Sequence, residues 1–406
     1  MIPISEALEI IEKQTGKLSI EKVDLAESIG RVLAENTFAD MDLPPFDRSQ
    51  MDGFAVRTND VEKADKENPI VLKIIGESVA GKGFNGKLKK GEAVRIMTGA
   101  RVSEGADSVQ KKELARELKN DKNECFVEIF EATKSQQNIV SKGAEIKTGE
   151  KVFGRGEIIN AQMIAPLASF GYANLKVSKK PKVAILATGS EIVDTNQKPQ
   201  KDQIRNSNSV ALKAFADKLA DIEVLPTVKD EIENLKSEIQ NALDTFDVLI
   251  ISGGVSVGDY DFTKPALRQL GAKIFFEKIA LRPGKPTVFA KLNDKLIFGL
   301  PGNPVSVAVT FFLFVRTALL KMQNATDCQL QKGFAVLSHE IKAAKERDSF
   351  LPAFVETNEK GKLFVESLRF GGSSNFIAFS RANCLVIVPR DENLETGDIV
   401  KILFLS

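Results

Sequence analysis

From about Pro181 to about Met322 the chain alternates short unbroken apolar runs with longer stretches whose apolar residues recur at a helical period. The runs are VAILA at 183–187, IEVLPTV at 222–228, DVLIIS at 247–252 and TVFA at 287–290. Between the first two, Leu212, Phe215 and Leu219 keep helical spacing, as do Ile232, Leu235, Ile239 and Leu243 between the second and third. Strands that are apolar on both faces and joined by helices predict a doubly wound parallel α/β sheet. A last helix is predicted to open with Asn303 as cap and Pro304 in its first turn, then to run through VSVAVTFFLFVRTALL, packed between the sheet and another part of the protein.

The pattern changes on either side of this block. Before it, stretches such as VAGKGFNGKLKKGEAVRIMTGA and KGAEIKTGEKVFGRGEI place Gly at short intervals, which predicts β structure with turns. KNDKNE at 119–124 reads as a hairpin turn, residues 5–14 as a helix capped by Ser5, and AQMIAPLASFG at 161–171 as a helix ended by Gly171. After the block, FVE, LFVES, CLVIV and DIVKILF alternate with turns and predict a small β-barrel or sandwich.

The 406 residues leave room for two to four domains at about 150 residues each. Lys and Arg (56) nearly balance Asp and Glu (55), so no global charge draws the chain to nucleic acid or an acidic membrane, and any anion site must be local. The longest apolar stretch, Val305 to Val315, stops at Arg316, short of the roughly 20 residues of a membrane span. Glu6 and Glu9 interrupt the segment where a signal peptide needs an uncharged core, which predicts a cytoplasmic protein. Cys125, Cys328 and Cys384 are widely spaced and read as reduced thiols. With His339 as the only histidine, a Ser-His-Asp triad and histidine metal sites are close to excluded. The chemistry is left to carboxylates, Lys, Arg, hydroxyls and backbone amides.

Loops that follow the predicted strands concentrate such groups. Thr188, Gly189, Ser190 and Glu191 follow VAILA, and Gly253, Gly254, Val255, Ser256, Gly258 and Asp261 follow DVLIIS. Pro301, Gly302, Asn303 and Pro304 add the amino end of the long helix. Each loop alone is compatible with a tight structural turn, but three at one sheet edge point to amide cradles for an anion, where parallel sheets bind ligands. Glu191, Asp230 and Asp261 are predicted to gather there with Lys278, Arg282 and Lys285 nearby. Two carboxylates 4 Å apart repel by about 4 kcal/mol at an effective dielectric of 20, so the cluster requires a cation. Oxygen ligands favour Mg²⁺. Two further motifs, FDRSQMDGFAV at 46–56 with Asp52 and RIMTGARVSEGADSV at 95–109 with Thr98, are polar turns between apolar flanks and identify no reaction alone.

In order along the chain, PPFDRSQMDGFAVR, RIMTGARVSEGAD, KVAILATGSEIV, the pair Ser207 and Asn208, SGGVSVGDYDF, RPGKPTVFA, LPGNPVSV and GGSSNFIAFSRANCLVIVP resemble the MoeA family of molybdopterin molybdenumtransferases, which includes the E domains of gephyrin and its plant counterpart. The resemblance implies an elongated homodimer with its active site at the subunit interface. It implies four domains per protomer: 1–43 with 140–176, a β-rich insertion at 44–139, the α/β domain at 177–325 and a carboxy-terminal β-barrel at 326–406.

The implied reaction moves molybdenum from molybdate into the dithiolene of an adenylylated molybdopterin, with Mg²⁺-assisted release of AMP. Asp52, Thr98, Lys278 and Arg282 would act with the carboxylates Glu191, Asp230 and Asp261, which would hold the metal; Arg347 and Ser373 would join the glycine loops in binding substrate. The adenylylating partner protein and molybdoenzyme chaperones are implied as partners. The chain departs from the family pattern where Val140 replaces an arginine and Pro352 another. Gln50, Phe54 and Arg282 are milder changes. The alternatives are a divergent paralogue that inserts tungstate and a non-catalytic molybdopterin-binding scaffold.

Overall fold

A computed structural model of the chain describes residues 1–229, 231–255, 262–368 and 374–405. Contacts divide it into two units. One comprises Met1–Glu35, Gly154–Ile164 and Ala173–Ser406; the other comprises Asn36–Phe153 and Ala165–Tyr172.

The first unit is built on a six-stranded sheet in the order Asp221–Val224, Lys182–Ala187, Val248–Ser252, Lys295–Leu300, Val288–Leu292, Lys273–Phe276. The first four strands are mutually parallel. Alternate residues feed two cores: Val183, Ile185, Ile250 and Phe298 face one side, Ala184, Leu186, Leu249 and Ile297 the other. Leu212 and Ala216 of the helix Ser207–Ala216 cover the first side; Leu235 and Ile239 of Ile232–Thr245, with Ala266 and Leu267 of Thr263–Gln269, cover the second. The sheet is thus doubly wound as expected, with one correction to its purely parallel character. Val288–Leu292 runs antiparallel to both neighbours, because only Asn293 and Asp294 separate it from Lys295–Leu300, and so short a link makes a hairpin rather than a crossover. The expected 222–228 strand keeps only Asp221–Val224; Pro226, which has no N–H to donate to a ladder, follows it.

The last helix forms one continuous course, Pro304–Met322, passing through a π turn at Phe311–Val315. At 19 residues it is longer than the 305–315 run suggested, and 83% of its most apolar stretch is buried inside the protein. Its partners are the sheet, Ala7 and Ile11 of the helix Ile4–Gln14, and Phe350, Leu385 and Leu403 of the carboxy-terminal strands. That amino-terminal helix starts one residue before Ser5, with Pro3 in the N-cap position, so Ser5 is inside it rather than capping it.

Five carboxy-terminal strands, Lys332–Leu337, Asp348–Thr357, Leu363–Ser367, Cys384–Val388 and Ile399–Phe404, close on themselves. Pairing of Asp348–Thr357 with Cys384–Val388 closes the ring, so the barrel replaces the sandwich as the outcome. Ala353, Val365, Val386 and Ile402 fill it. Cys328 and Cys384 are buried and burial raises both thiols, Cys384 to about 12, as inert core groups require.

The second unit contains a six-stranded mixed sheet in the order Ser108–Lys111, Gly53–Val56, Glu92–Ile96, Ile70–Ser78, Cys125–Ile129, Ala115–Lys119. The predicted hairpin at 119–124 joins its last two strands, with Asn123 in the left-handed conformation.

Phe289 is fully buried and its ring lies 5.0–5.6 Å from those of Phe275, Phe276 and Phe298. Phe289→Ala is expected to lower the stability of the first unit, to which Phe289 belongs, by about 3–5 kcal/mol, read as a shift in its chemical-denaturation midpoint.

Candidate functional site

The strand order reverses between Lys182–Ala187 and Val248–Ser252: the chain leaves the first toward Asp221–Val224 and the second toward Lys295–Leu300. The crevice beyond their carboxyl ends is the point where such sheets bind ligands. Ser252 pairs in register with Ala187 on one side and Leu300 on the other, so Thr188, Gly253 and Pro301 leave the sheet at one level. Thr188 N–H donates to the Ser252 carbonyl (3.1 Å) and Gly253 N–H to that of Leu300 (3.1 Å). The Asn208 side-chain amide donates to Ser252 Oγ (3.0 Å) and to the Gly302 carbonyl (2.8 Å). One side chain thus ties the start of a helix, the end of a strand and the LPGNP loop.

These loops enclose a cavity of about 1150 Å³. Gly253 and Gly254 take φ of 102° and 61°, and a Cβ there would come within 2.7 Å of the Thr188 carbonyl oxygen and 2.8 Å of Thr263 Oγ1 respectively. Gly302 differs: a Cβ would meet nothing within 4 Å, so its missing side chain leaves room in the cavity. Thr188 Oγ1 is buried and has no hydrogen-bond partner among the described residues. Apolar parts of the wall come from Ile192, Ile204, Pro286 and Phe376, the last from the short helix Phe376–Phe379 beside the barrel.

Of the sequence-predicted residues, Thr188, Gly189, Glu191, Ser207, Asn208, Gly253, Gly254, Val255, Pro301, Gly302, Asn303 and Pro304 line this one cavity. Ser190 belongs to the same turn but is not in the wall. Asn303 holds the N-cap position before Pro304 without its side chain capping the helix. Asp230, Ser256, Gly258, Asp261 and Ser373 lie outside the described residues, which include no group of three potential metal-ligating side chains. Glu191 is the one carboxylate of the described wall, folded back over Gly189.

Lys278, Arg282 and Lys285 are not part of the lining. Arg282 stands in the short strand Leu281–Arg282, which pairs with the start of Asp348–Thr357 and so comes within two positions of register of Arg347. Of the three cations predicted for the rim, Arg282 is therefore drawn to the start of a barrel strand, while Lys278 and Lys285 stand in the segments on either side of Leu281–Arg282. Sequence reasoning passed over Arg205, which lines the cavity two residues before Ser207. Its signal was a cation abutting an Asn cap at a strand end.

In the second unit the two polar motifs meet. Val102 N–H donates to the Asp47 carbonyl, Gly99 N–H to that of Ser49, and both the N–H and hydroxyl of Thr98 donate to Asp52 Oδ1 at 2.7 Å. These two bonds, aided by the charge of Lys112, hold the Asp52 carboxyl below the ordinary range. Val140, at the place of the absent family arginine, pairs with Arg48, whose guanidinium bridges to Glu145 at 3.1 Å. Lys142 is bound to Asp42 at 3.4 Å.

Three family profiles match in sequence order: the MoeA N-terminal region (domain I and II) over residues 2–171, a probable molybdopterin binding domain over 184–321, and the MoeA C-terminal region (domain IV) over 335–405. The molybdopterin molybdenumtransferase of Staphylococcus aureus (strain COL) is 37% identical over 96% of this chain and 91% of its own length. That of Staphylococcus epidermidis is 34% identical over 99% and 95%. Among solved structures, the molybdopterin biosynthesis MoeA protein of Pyrococcus horikoshii OT3 matches with a TM-score of 0.84 at 29% identity, over 100% of both chains.

Two outcomes follow from this geometry. Gly254→Ala is expected to lower the melting temperature by several degrees through strain and contact, whereas Gly302→Ala should melt like the parent. Because its folded pKa is depressed, the Asp52–Thr98 pairing stabilises the protein above the ordinary carboxyl value of 3.8 and is lost as pH falls through the lowered one. In an NMR titration the Thr98 amide should inflect below pH 3.8, and Thr98→Val should move that inflection upward.

Proposed function

Because the chain belongs to the MoeA family, we propose that it is a molybdopterin molybdenumtransferase, which moves molybdenum from molybdate into an adenylylated molybdopterin and releases AMP. The observation that carries this reading is the cavity at the strand-order reversal, walled by Gly253, Gly254 and Gly302 and open above Gly302. A phosphate can approach the backbone at Gly302 without a Cβ in the way, and the amino end of Ser207–Ala216 adds its dipole. The buried Thr188 hydroxyl, unsatisfied among the described residues, suits a phosphate oxygen. Ile204, Pro286 and Phe376 suit the flat faces of a heterocycle.

Mg²⁺ belongs to the same proposal. The donor set fits it, since the wall offers a carboxylate and hydroxyls and no nitrogen or sulfur ligand among the described side chains nearest Glu191. Glu191 would hold the ion with Asp230 and Asp261, and the ion would supply charge neutralisation on the phosphoanhydride. Lys278 and Arg282 are assigned to the oxyanion or the phosphates, Arg347 and Ser373 to substrate binding, and Asp52 and Thr98 to the catalytic set. The homodimer, the four-domain division at 43, 139, 176 and 325, a cytoplasmic location and contacts with the adenylylating protein and molybdoenzyme chaperones complete the reading. The dithiolene belongs to the substrate, which accounts for a site in which neither Cys nor His is needed.

The test is an assay of the purified protein with adenylylated molybdopterin, Mg²⁺ and molybdate. AMP release and active cofactor are expected from the parent. Glu191→Gln and Asp261→Asn should lower AMP release at least a hundredfold with folding intact, and Gly302→Ala should raise KM. A protein that binds the pterin but never releases AMP would point instead to a scaffold.

A further inference from the structure

Among the described residues that line the cavity, two carry charge: Glu191 and Arg205. Arg205 ends one strand of a small parallel ribbon, Ile192–Val193 with Ile204–Arg205, and Glu191 immediately precedes the other. Its register is locked, because Ile204 N–H donates to the Glu191 carbonyl at 2.9 Å and Asn206 N–H to that of Val193 at 2.8 Å. The Arg205 side chain is oriented by a single bond, from Nε to the Gln197 carbonyl at 2.9 Å. It makes no salt bridge to any described carboxylate, unlike Arg48, Arg95 or Arg268. Anchoring through Nε leaves both terminal nitrogens for another acceptor, in the planar geometry that suits a phosphate.

The next residue, Asn206, caps the helix Ser207–Ala216 by accepting from Ser209 N–H at 3.1 Å. The guanidinium and the positive end of that helix thus serve the same cavity, where the Glu191 carboxylate would otherwise repel an anion. Resting on the reading above, we infer that Arg205 is a substrate-binding residue whose guanidinium fork engages a phosphate oxygen of the adenylylated pterin. The sequence-predicted cations Lys278 and Arg282 are outside this wall, and Arg205 is the cation among its described residues.

AMP serves as the probe, titrated calorimetrically against the full chain, Arg205→Gln and Arg205→Lys at low and high ionic strength. The glutamine variant should bind AMP about ten- to a hundredfold more weakly at low ionic strength. It should lose most of the salt dependence seen in the parent, and the lysine variant should fall between the two. Since the side chain is exposed and pins only one loop carbonyl, the ligand-free melting temperature should be unchanged in both. Binding by Arg205→Gln within twofold of the parent would overturn the assignment. So would a weakening that keeps the parent's salt dependence, because that is the mark of a loosened 194–203 loop rather than a lost charge. If the parent itself fails to bind AMP, the reading of the cavity falls instead.

Discussion

Ser252 sits between Ala187 and Leu300 in the sheet, and the rest of the site hangs on that alignment. Parallel pairing fixes where each strand stops relative to its neighbours, so three loops of unrelated sequence leave the sheet together. A slip of one residue in Val248–Ser252 would turn Leu249 and Ile251 into the core that holds Ile250 and remove Gly253 from Thr188. The two-sided core forbids this slip. Burial of side chains far from the cavity therefore sets the geometry of the backbone amides within it.

Within that frame, contacts of opposite kinds shape the walls. Gly253 and Gly254 are glycine because the protein itself crowds them, whereas the space above Gly302 is left open. Asn208 spends both side-chain donors on the protein, joining Ser252 to Gly302, and so acts by holding the loops in place. A site made of backbone and braced by one amide changes little when a charged ligand arrives, and this preorganisation is what makes amide dipoles effective.

Of the α/β unit, the strands Lys182–Ala187, Val248–Ser252 and Val288–Leu292 and the helices Ser207–Ala216, Ile232–Thr245 and Pro304–Met322 were legible because apolar runs bounded by Gly and Pro have few other uses, as were the loops after VAILA, after DVLIIS and around LPGNP. The strands Lys273–Phe276 and Lys295–Leu300 and the helix Thr263–Gln269 were passed over. The antiparallel sense of Val288–Leu292 was not foreseen, because a strand buried on both faces reads the same in either direction and only the two-residue link to Lys295 reveals it. Lys278 and Arg282 were placed at the rim by proximity in sequence, but Leu281–Arg282 pairs with a barrel strand, a long-range choice that local pattern does not encode. Arg205 was missed for the opposite reason: its neighbours Ser207 and Asn208 were noticed, and a lone arginine in a polar stretch looks like solvated surface until the ribbon with Ile192–Val193 turns it toward the cavity.

The distribution of charge then bears on how such a reaction is divided. The described wall of the cavity carries one carboxylate and one guanidinium, the latter suited to orient a phosphate. Arg282 pairs with Ser349 at the start of a barrel strand, two register positions from Arg347 and outside that wall. On the proposed reading, separate stations for the organic phosphate and for the oxyanion would keep two mutually repelling anions from competing for one set of donors.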